Sequence, residues 1–247
     1  MHRAVQILGV RVSARTMAET VEEALSLIAK RRGQIVTANA EIIYTAYRQP
    51  EFMATLHAAE LVTADGMGVV LASRLLGDPV PERVSGYDLL HELAGRAADL
   101  GLRVYLLGGK SGVAEKAADK LKALYPGLNI VGTRHGYFAD GESRAVISEI
   151  NACAPDMLVA ALGLRGDFWL AEHKEALSCA ALQVGGSFDV LAGHAVRAPL
   201  FLQRTGFEWA YRLYKEPWRY KRMLTLPKFM VAVIGELCRR QERKEKP

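Results

Sequence analysis

Thr37, Ala38 and Asn39 close an apolar run that includes Ile35 and Val36, and Thr63, Ala64 and Asp65 close a second that begins at Leu61. Each run reads as a strand followed at once by helix-like sequence. Short polar side chains at such a junction can cap the next helix, and capping accounts for any one of Thr37, Asn39 or Asp65 taken alone. Taken together they do more: two strand ends bring hydrogen-bonding groups and a carboxylate to the same sheet edge. A carboxylate in a cleft can take a proton from a hydroxyl nucleophile, so Asp65 is the stronger chemical candidate. Thr63 reads as structural.

Two glycine pairs also follow strand-like runs. In "YLLGGKSG" (105–112), Gly108 and Gly109 would let a phosphate approach the backbone, with helix N–H groups favouring its charge. Neither G-x-G-x-x-G nor the phosphate-binding G-x-x-x-x-G-K-[ST] is present, so a plain tight turn explains the pair equally well. In "QVGGSFDVLAGHAVRAP" (183–199), Gly185 and Gly186 precede Ser187 and Asp189, which can cap a short helix. Arg197, just beyond, suits a carboxylate or a phosphate. The six histidines show no metal-ligand spacing, and Asp156 and Asp167 stand too far from other donors to suggest a metal site. No metal or other cofactor is expected.

Positioning these groups requires a sheet. The runs 34–39, 60–65, 103–109, 128–133, 156–163 and 181–186 read as strands, several apolar without alternation, as parallel strands covered on both faces are. Between them, residues 16–32, 87–101 and 112–127 repeat apolar residues at three- and four-residue spacing, the last two ending in glycine or Pro-Gly. The opening "VQILGVRVS" alternates and adds a strand or hairpin at one edge. The expected fold is α/β, a Rossmann-like open and mostly parallel sheet with helices on both faces. Three scattered cysteines suit a reducing compartment, and neither a signal peptide nor a membrane-spanning run is legible in the 247 residues.

The net charge of +5 resides in the tail: residues 203–247 hold twelve Lys/Arg against five Asp/Glu. There "FEWAYRLYKEPWRYKR" (207–222) interleaves rings with cations, and in a continuous helix Arg212, Arg219 and Arg222 would share one face. Helix breaks are expected at Pro199, Pro217 and Pro227, with a fraying charged end. Residues 1–198 read as the core and 199–247 as a basic, aromatic helical appendage. Such helices suit a membrane surface, with cations at phosphate and rings at the interface. Packing on the sheet with a solvated basic face is the plainer alternative, and no nucleic-acid fold is recognisable.

Together these stretches resemble the WecG/TagA/CpsF family, glycosyltransferase family 26. The matching segments are "TANAEII", "ADGMGVVLASRLLG", "ERVSGYDLL", "VYLLGGKSGVAEKAADKL", "GYF", "VGGSFDVLAGHAVRAP" and "GFEWAYRLYKEPWRYKR", in order across residues 5–225. The resemblance implies a cytoplasmic, inverting enzyme at the inner membrane face, with no metal requirement. It would move a sugar from a UDP-sugar to a sugar on undecaprenyl diphosphate, in polysaccharide or teichoic acid synthesis. N-acetylmannosamine, its uronic acid and glucose are the donor sugars it implies. Asp65 then matches the proposed general base, and Thr37 and Asn39 match pocket residues beside it. Arg83 matches an arginine supporting the leaving diphosphate. Gly108, Gly109, Gly163, Gly185, Gly186 and Asp189 form the implied nucleotide-sugar set, and Arg212, Arg219 and Arg222 the lipid-diphosphate set. Homo-oligomerisation stays open. One segment departs: the family carries G-x-P-K-Q-E where this chain has "GLRGDFW" (163–169). That departure leaves room for a nucleotide-binding module that docks at a membrane without transferring anything. A dinucleotide oxidoreductase rests on fold class alone.

Overall fold

A computed structural model describes residues 4–215, 217 and 220–245, without the side chains of residues 200, 204, 212, 221, 222 and 243–245. Six strands form one wholly parallel sheet: β3 (Gln34–Ala38), β4 (Leu61–Ala64), β5 (Arg103–Gly108), β6 (Asn129–Arg134), β7 (Met157–Ala161) and β8 (Ala180–Gln183). Their order is β4-β3-β8-β7-β5-β6. All six expected strands are therefore present. The opening segment forms an antiparallel hairpin, β1 (Ala4–Ile7) and β2 (Val10–Ser13), which is a separate two-stranded sheet rather than an extension of the large one.

The unbroken apolar runs are explained by what covers the sheet. One face carries α1 (Met17–Ala29), α5 (Gly86–Leu100), α6 (Val113–Leu124) and α9 (Ser187–Leu191), packed on Ile35, Leu61, Val104, Leu106, Val159 and Leu182. Residues one step along the same strands face the other way. Val36, Ala38, Val62 and Ala64 meet the hairpin, α2 (Ala40–Arg48), α3 (Pro50–Ala58) and α4 (Met67–Leu75). Leu107, Leu158 and Ala181 meet α7 (Ser143–Ala152) and α8 (Leu164–His173). With both faces buried, both alternate positions are mostly apolar, and the buried polar side chains of Gln34, Thr37, Thr63 and Gln183 are each hydrogen-bonded.

Beyond residue 198 the chain is helical: α10 (Leu200–Thr205), α11 (Glu208–Lys215), α12 (Tyr220–Met223) and α13 (Thr225–Glu245). Pro227 does not break the chain's last helix. It occupies the first turn of α13, where a missing N–H costs no helical hydrogen bond. The charged end that was expected to fray is helical through Glu245. α13 also builds the core, since Phe229 and Val233 are fully buried in the cluster under β3 and β4. The Leu8 N–H donates to Glu236 Oε2 at 2.7 Å, and Arg240 Nη2 donates to the Gln6 carbonyl at 2.7 Å, fixing α13 to the opening hairpin.

Candidate functional site

All six parallel strands end at one edge, and the segments that leave them line a cavity of about 710 Å³. Thr37 lies near the end of β3 and Asn39 follows it, Asp65 follows β4, Gly109 and Lys110 follow β5, and Gly136 and Tyr137 follow β6. Gly163 follows β7, while Gly185, Gly186 and Asp189 follow β8. Eight of the ten sequence-derived residues in the catalytic and nucleotide-sugar sets thus share one cavity: Thr37, Asn39, Asp65, Gly109, Gly163, Gly185, Gly186 and Asp189. Gly108 and Arg83 are not among the lining residues.

The capping alternative divides three ways. Asn39 is a cap: its Oδ1 accepts from the Ile42 N–H at 3.0 Å and closes the first turn of α2. Thr37 is not. Its hydroxyl donates to the Gln183 carbonyl at 3.0 Å, joining β3 to β8 below the cavity floor. Asp65 is not a cap either, because Gly66 holds that position before α4 with φ +96°, a conformation that suits glycine. Asp65 Oδ2 instead lies 3.4 Å from the Gly86 N–H at the start of α5, and its own N–H donates to the Ala38 carbonyl at 2.9 Å. Those contacts hold its carboxylate beside the end of β3. Thr63 is structural as expected, buried with its hydroxyl on the Val84 carbonyl at 3.1 Å. Neither Ser187 nor Asp189 caps α9: Gly186 holds the cap position, and the Ser187 hydroxyl donates to the Val184 carbonyl at 2.7 Å.

Gly86 is where the wall is tightest. A Cβ there would stand 2.8 Å from Thr37 Oγ1 and 3.3 Å from Val184 Cα, so only glycine lets α5 begin this close to β3. Gly108 serves a similar end between strands, for a Cβ would meet the Ala161 carbonyl oxygen at 2.5 Å. Its lack of a side chain is used by β7, whereas Gly109 faces the cavity.

The Arg83 guanidinium is engaged by other side chains. Its Nη1 meets Glu208 Oε2 at 2.9 Å, and its Nη2 meets Asp88 Oδ2 at 3.1 Å and Gln203 Oε1 at 3.4 Å. Arg197 grips both Asp88 oxygens, at 2.6 and 2.7 Å, and lies over the Tyr87 ring with its guanidinium carbon 4.5 Å from the centroid. Burial works against the Asp88 charge, but the bonds from Arg197 and Ser85 outweigh it and hold the carboxyl below the ordinary aspartate range. Arg197 lines the cavity and Arg83 does not; Lys110 and Arg165 are the other cations among the lining residues. The sequence reading left Arg197 open between carboxylate and phosphate, and its carboxylate is Asp88.

Residues 163–169 hold a group that composition did not reveal. Asp167 is 1 % exposed, lines the cavity floor, and neither carboxyl oxygen has a hydrogen-bond partner. Burial alone pushes its pKa up to about 7. It adjoins the Thr37 side of the cavity. Gln34 Nε2 donates to its carbonyl at 3.0 Å, while Gln183 Nε2 donates to the Gly163 carbonyl at 2.6 Å. Nothing in "GLRGDFW" marks this aspartate as buried, since two glycines, an arginine and three apolar residues give no helical or strand period. The segment forms α8 nonetheless.

The arginines expected to meet the lipid diphosphate fall at the edge of what is described. Arg219 lies outside the described residues, as do the side chains of Arg212 and Arg222. The backbone places Arg212 in α11 and Arg222 in α12, so the continuous helix that would align all three is interrupted. Around them Phe201, Phe207, Tyr214 and Tyr220 are exposed. Among the described residues no helix is long and apolar enough to cross a membrane, and no three His, Cys, Asp or Glu side chains gather as metal ligands.

A profile of the Glycosyl transferase WecG/TagA/CpsF family matches residues 5–243, nearly the whole chain. A Bacillus spizizenii protein named N-acetylglucosaminyldiphosphoundecaprenol N-acetyl-beta-D-mannosaminyltransferase is 39 % identical over 202 residues, covering 81 % of this chain and 78 % of its own. A Bacillus subtilis (strain 168) protein of the same name is 36 % identical over 204 residues, covering 82 % and 79 %.

Proposed function

We propose, from the premise that this chain belongs to the WecG/TagA/CpsF family of glycosyl transferases, that it moves N-acetylmannosamine from a UDP-sugar to N-acetylglucosamine on undecaprenyl diphosphate. The observation that carries the chemistry is Asp65, a carboxylate on the cavity wall beside Thr37 and Asn39. The names of the two relatives favour N-acetylmannosamine over its uronic acid or glucose, and name the lipid-linked acceptor.

In this reading the acceptor hydroxyl enters beside the end of β4. Asp65 accepts its proton as the oxygen attacks the anomeric carbon from the face opposite the diphosphate. The bond from that carbon to the diphosphate oxygen breaks, UDP leaves with the electron pair, and the configuration inverts. Backbone N–H groups after β7 and β8, with Arg197 and Lys110, balance the charge that develops on the leaving group. Arg83 contributes by holding Asp88 and Glu208, and so steadies Arg197 and α11.

The acceptor is lipid-bound, so the site must meet a membrane. The exposed rings of Phe201, Phe207, Trp209, Tyr214 and Tyr220 lie in the helical appendage and supply an interfacial face for peripheral binding at the inner leaflet. Cell-surface polymer synthesis, teichoic acid among its forms, is the process this reaction serves.

A donor screen tests the reading. Purified protein is given a panel of UDP-sugars with a prenyl-diphosphate-linked N-acetylglucosamine, and UDP release is followed. Release that requires both the acceptor and UDP-N-acetylmannosamine is expected. No release from any donor would favour a non-catalytic membrane-docking module instead.

A further inference from the structure

We infer that Tyr137 is the stacking platform for the nucleobase of the donor, which places the base at the β5–β6 end of the cavity and the transferred sugar at the β3–β4 end. The inference rests on the nucleotide-sugar reading and gives it a direction.

Tyr137 is 70 % exposed although the backbone around it is fixed on both sides. Before it, Gly136 is pressed onto the turn after β5: its N–H donates to the Gly109 carbonyl at 2.9 Å. A Cβ on Gly136 would stand 2.6 Å from Leu162 Cδ2 and 3.0 Å from Gly108 Cα, so no other residue reaches this position without displacing β5. After it, Phe138 packs edge-on against Trp169 at 5.7 Å, and the Ala139 N–H donates to Glu142 Oε2 at 2.7 Å. The loop is anchored by its neighbours, and Tyr137 projects from it on the cavity rim. A large ring held in water beside a polar cavity has unused apolar area, and a flat heterocycle is the ligand that covers it best.

Strand order supplies the direction. Asp65 follows β4 and Thr37 lies in β3, at one end of the sheet, whereas Tyr137 follows β6 at the other. β4 and β6 stand five strand spacings apart, roughly 24 Å at about 4.8 Å each. Asp65, however, is bonded to the end of β3 through Ala38, and the loop before Tyr137 to the turn after β5 through Gly109. The gap to bridge therefore approaches the β3–β5 separation of roughly 14 Å, within reach of an extended nucleotide-sugar. Between the two ends stand the turns after β7 and β8, with Gly163, Gly185, Gly186 and Arg197, suited to the diphosphate. The proton acceptor must adjoin the sugar, so the base falls to the end that carries the ring.

UDP binding by calorimetry tests this on the full chain and on Tyr137→Ala and Tyr137→Phe. The alanine variant is expected to bind UDP roughly tenfold more weakly, and the phenylalanine variant within about twofold of the parent, because every base stacks on an aromatic face regardless of the hydroxyl. Both variants should keep the parent melting temperature, since the side chain is exposed. Parent-like UDP affinity in the alanine variant would overturn the stacking role while leaving the nucleotide site intact. Equal loss in both variants would assign the contact to the hydroxyl, and would also overturn it. Failure of the parent chain to bind UDP would remove the nucleotide reading itself, and this inference with it.

Discussion

Arg83 Nη1 and Glu208 Oε2 meet at 2.9 Å across 125 positions of sequence, tying the loop before α5 to α11. Glu208 lines the cavity and belongs to the segment with the exposed rings, so this ion pair joins the cavity to the surface proposed to meet lipid. Glu208→Gln keeps the shape and removes the charge. It should cost about 1–3 kcal/mol of stability, since both side chains of the pair are mostly buried. It should also raise the KM for the lipid-linked acceptor several-fold, with UDP affinity unchanged. Steady-state kinetics with the acceptor varied, beside UDP calorimetry, would check this. An unaltered acceptor KM would mean that α11 is held in place without the pair.

Asp65→Asn retains an oxygen for the Gly86 N–H and leaves the backbone bond to Ala38 untouched. Its fold and its UDP affinity should therefore match the parent. Transfer should fall by about 10²- to 10⁴-fold, the usual contribution of a positioned general base. Turnover near the parent value would remove Asp65 from that role.

Asp167 predicts a pH dependence of stability. Its carboxyl ionises near 3.8 when unperturbed and about 7 in the folded protein. Between those values the folded state keeps a proton that the unfolded chain has lost, so this group's contribution to stability falls as pH rises and levels off above about 7. Asp167→Asn removes the ionisation and should raise the melting temperature at pH 8 more than at pH 5. Thermal denaturation of both proteins across that range is the measurement, and parallel curves would refute the assignment.

Phe229 is fully buried against the β3–β4 half of the core. Phe229→Ala should cost about 3–5 kcal/mol, as for other buried aromatic truncations. Phe201→Ser, at an exposed ring, should leave stability within about 0.5 kcal/mol while weakening sedimentation with anionic liposomes. Chemical denaturation and vesicle co-sedimentation separate the two effects.

What was legible depended on where the physical signal is local. Ile35–Val36 and Leu61–Val62 announce buried parallel strands because both faces must be apolar, and a polar residue then marks the strand end. Which of those polar residues caps a helix was not legible, because Asn39 and Asp65 look alike in sequence. The difference lies in Gly66, whose positive φ takes the cap position and leaves Asp65 to the cavity. Asp167 was hidden for a related reason: its burial comes from the sheet beneath it, not from its neighbours in "GLRGDFW". Arg83 and Arg197 were both visible as cations, but only the Asp88 hub shows which one reaches the cavity. Phe229 and Val233 were read as part of an appendage because their partners, α2 and α4, lie more than 150 residues earlier.

The clasp between Leu8 and Glu236, spanning 228 positions, sets a schedule for the newborn chain. The hairpin and α2 emerge from the ribosome long before α13, the helix that seals them. One half of the hydrophobic interior therefore waits, uncovered, until α13 has been made. A translation product cut short before Thr225 would lack Phe229 and Val233, and with them a finished core.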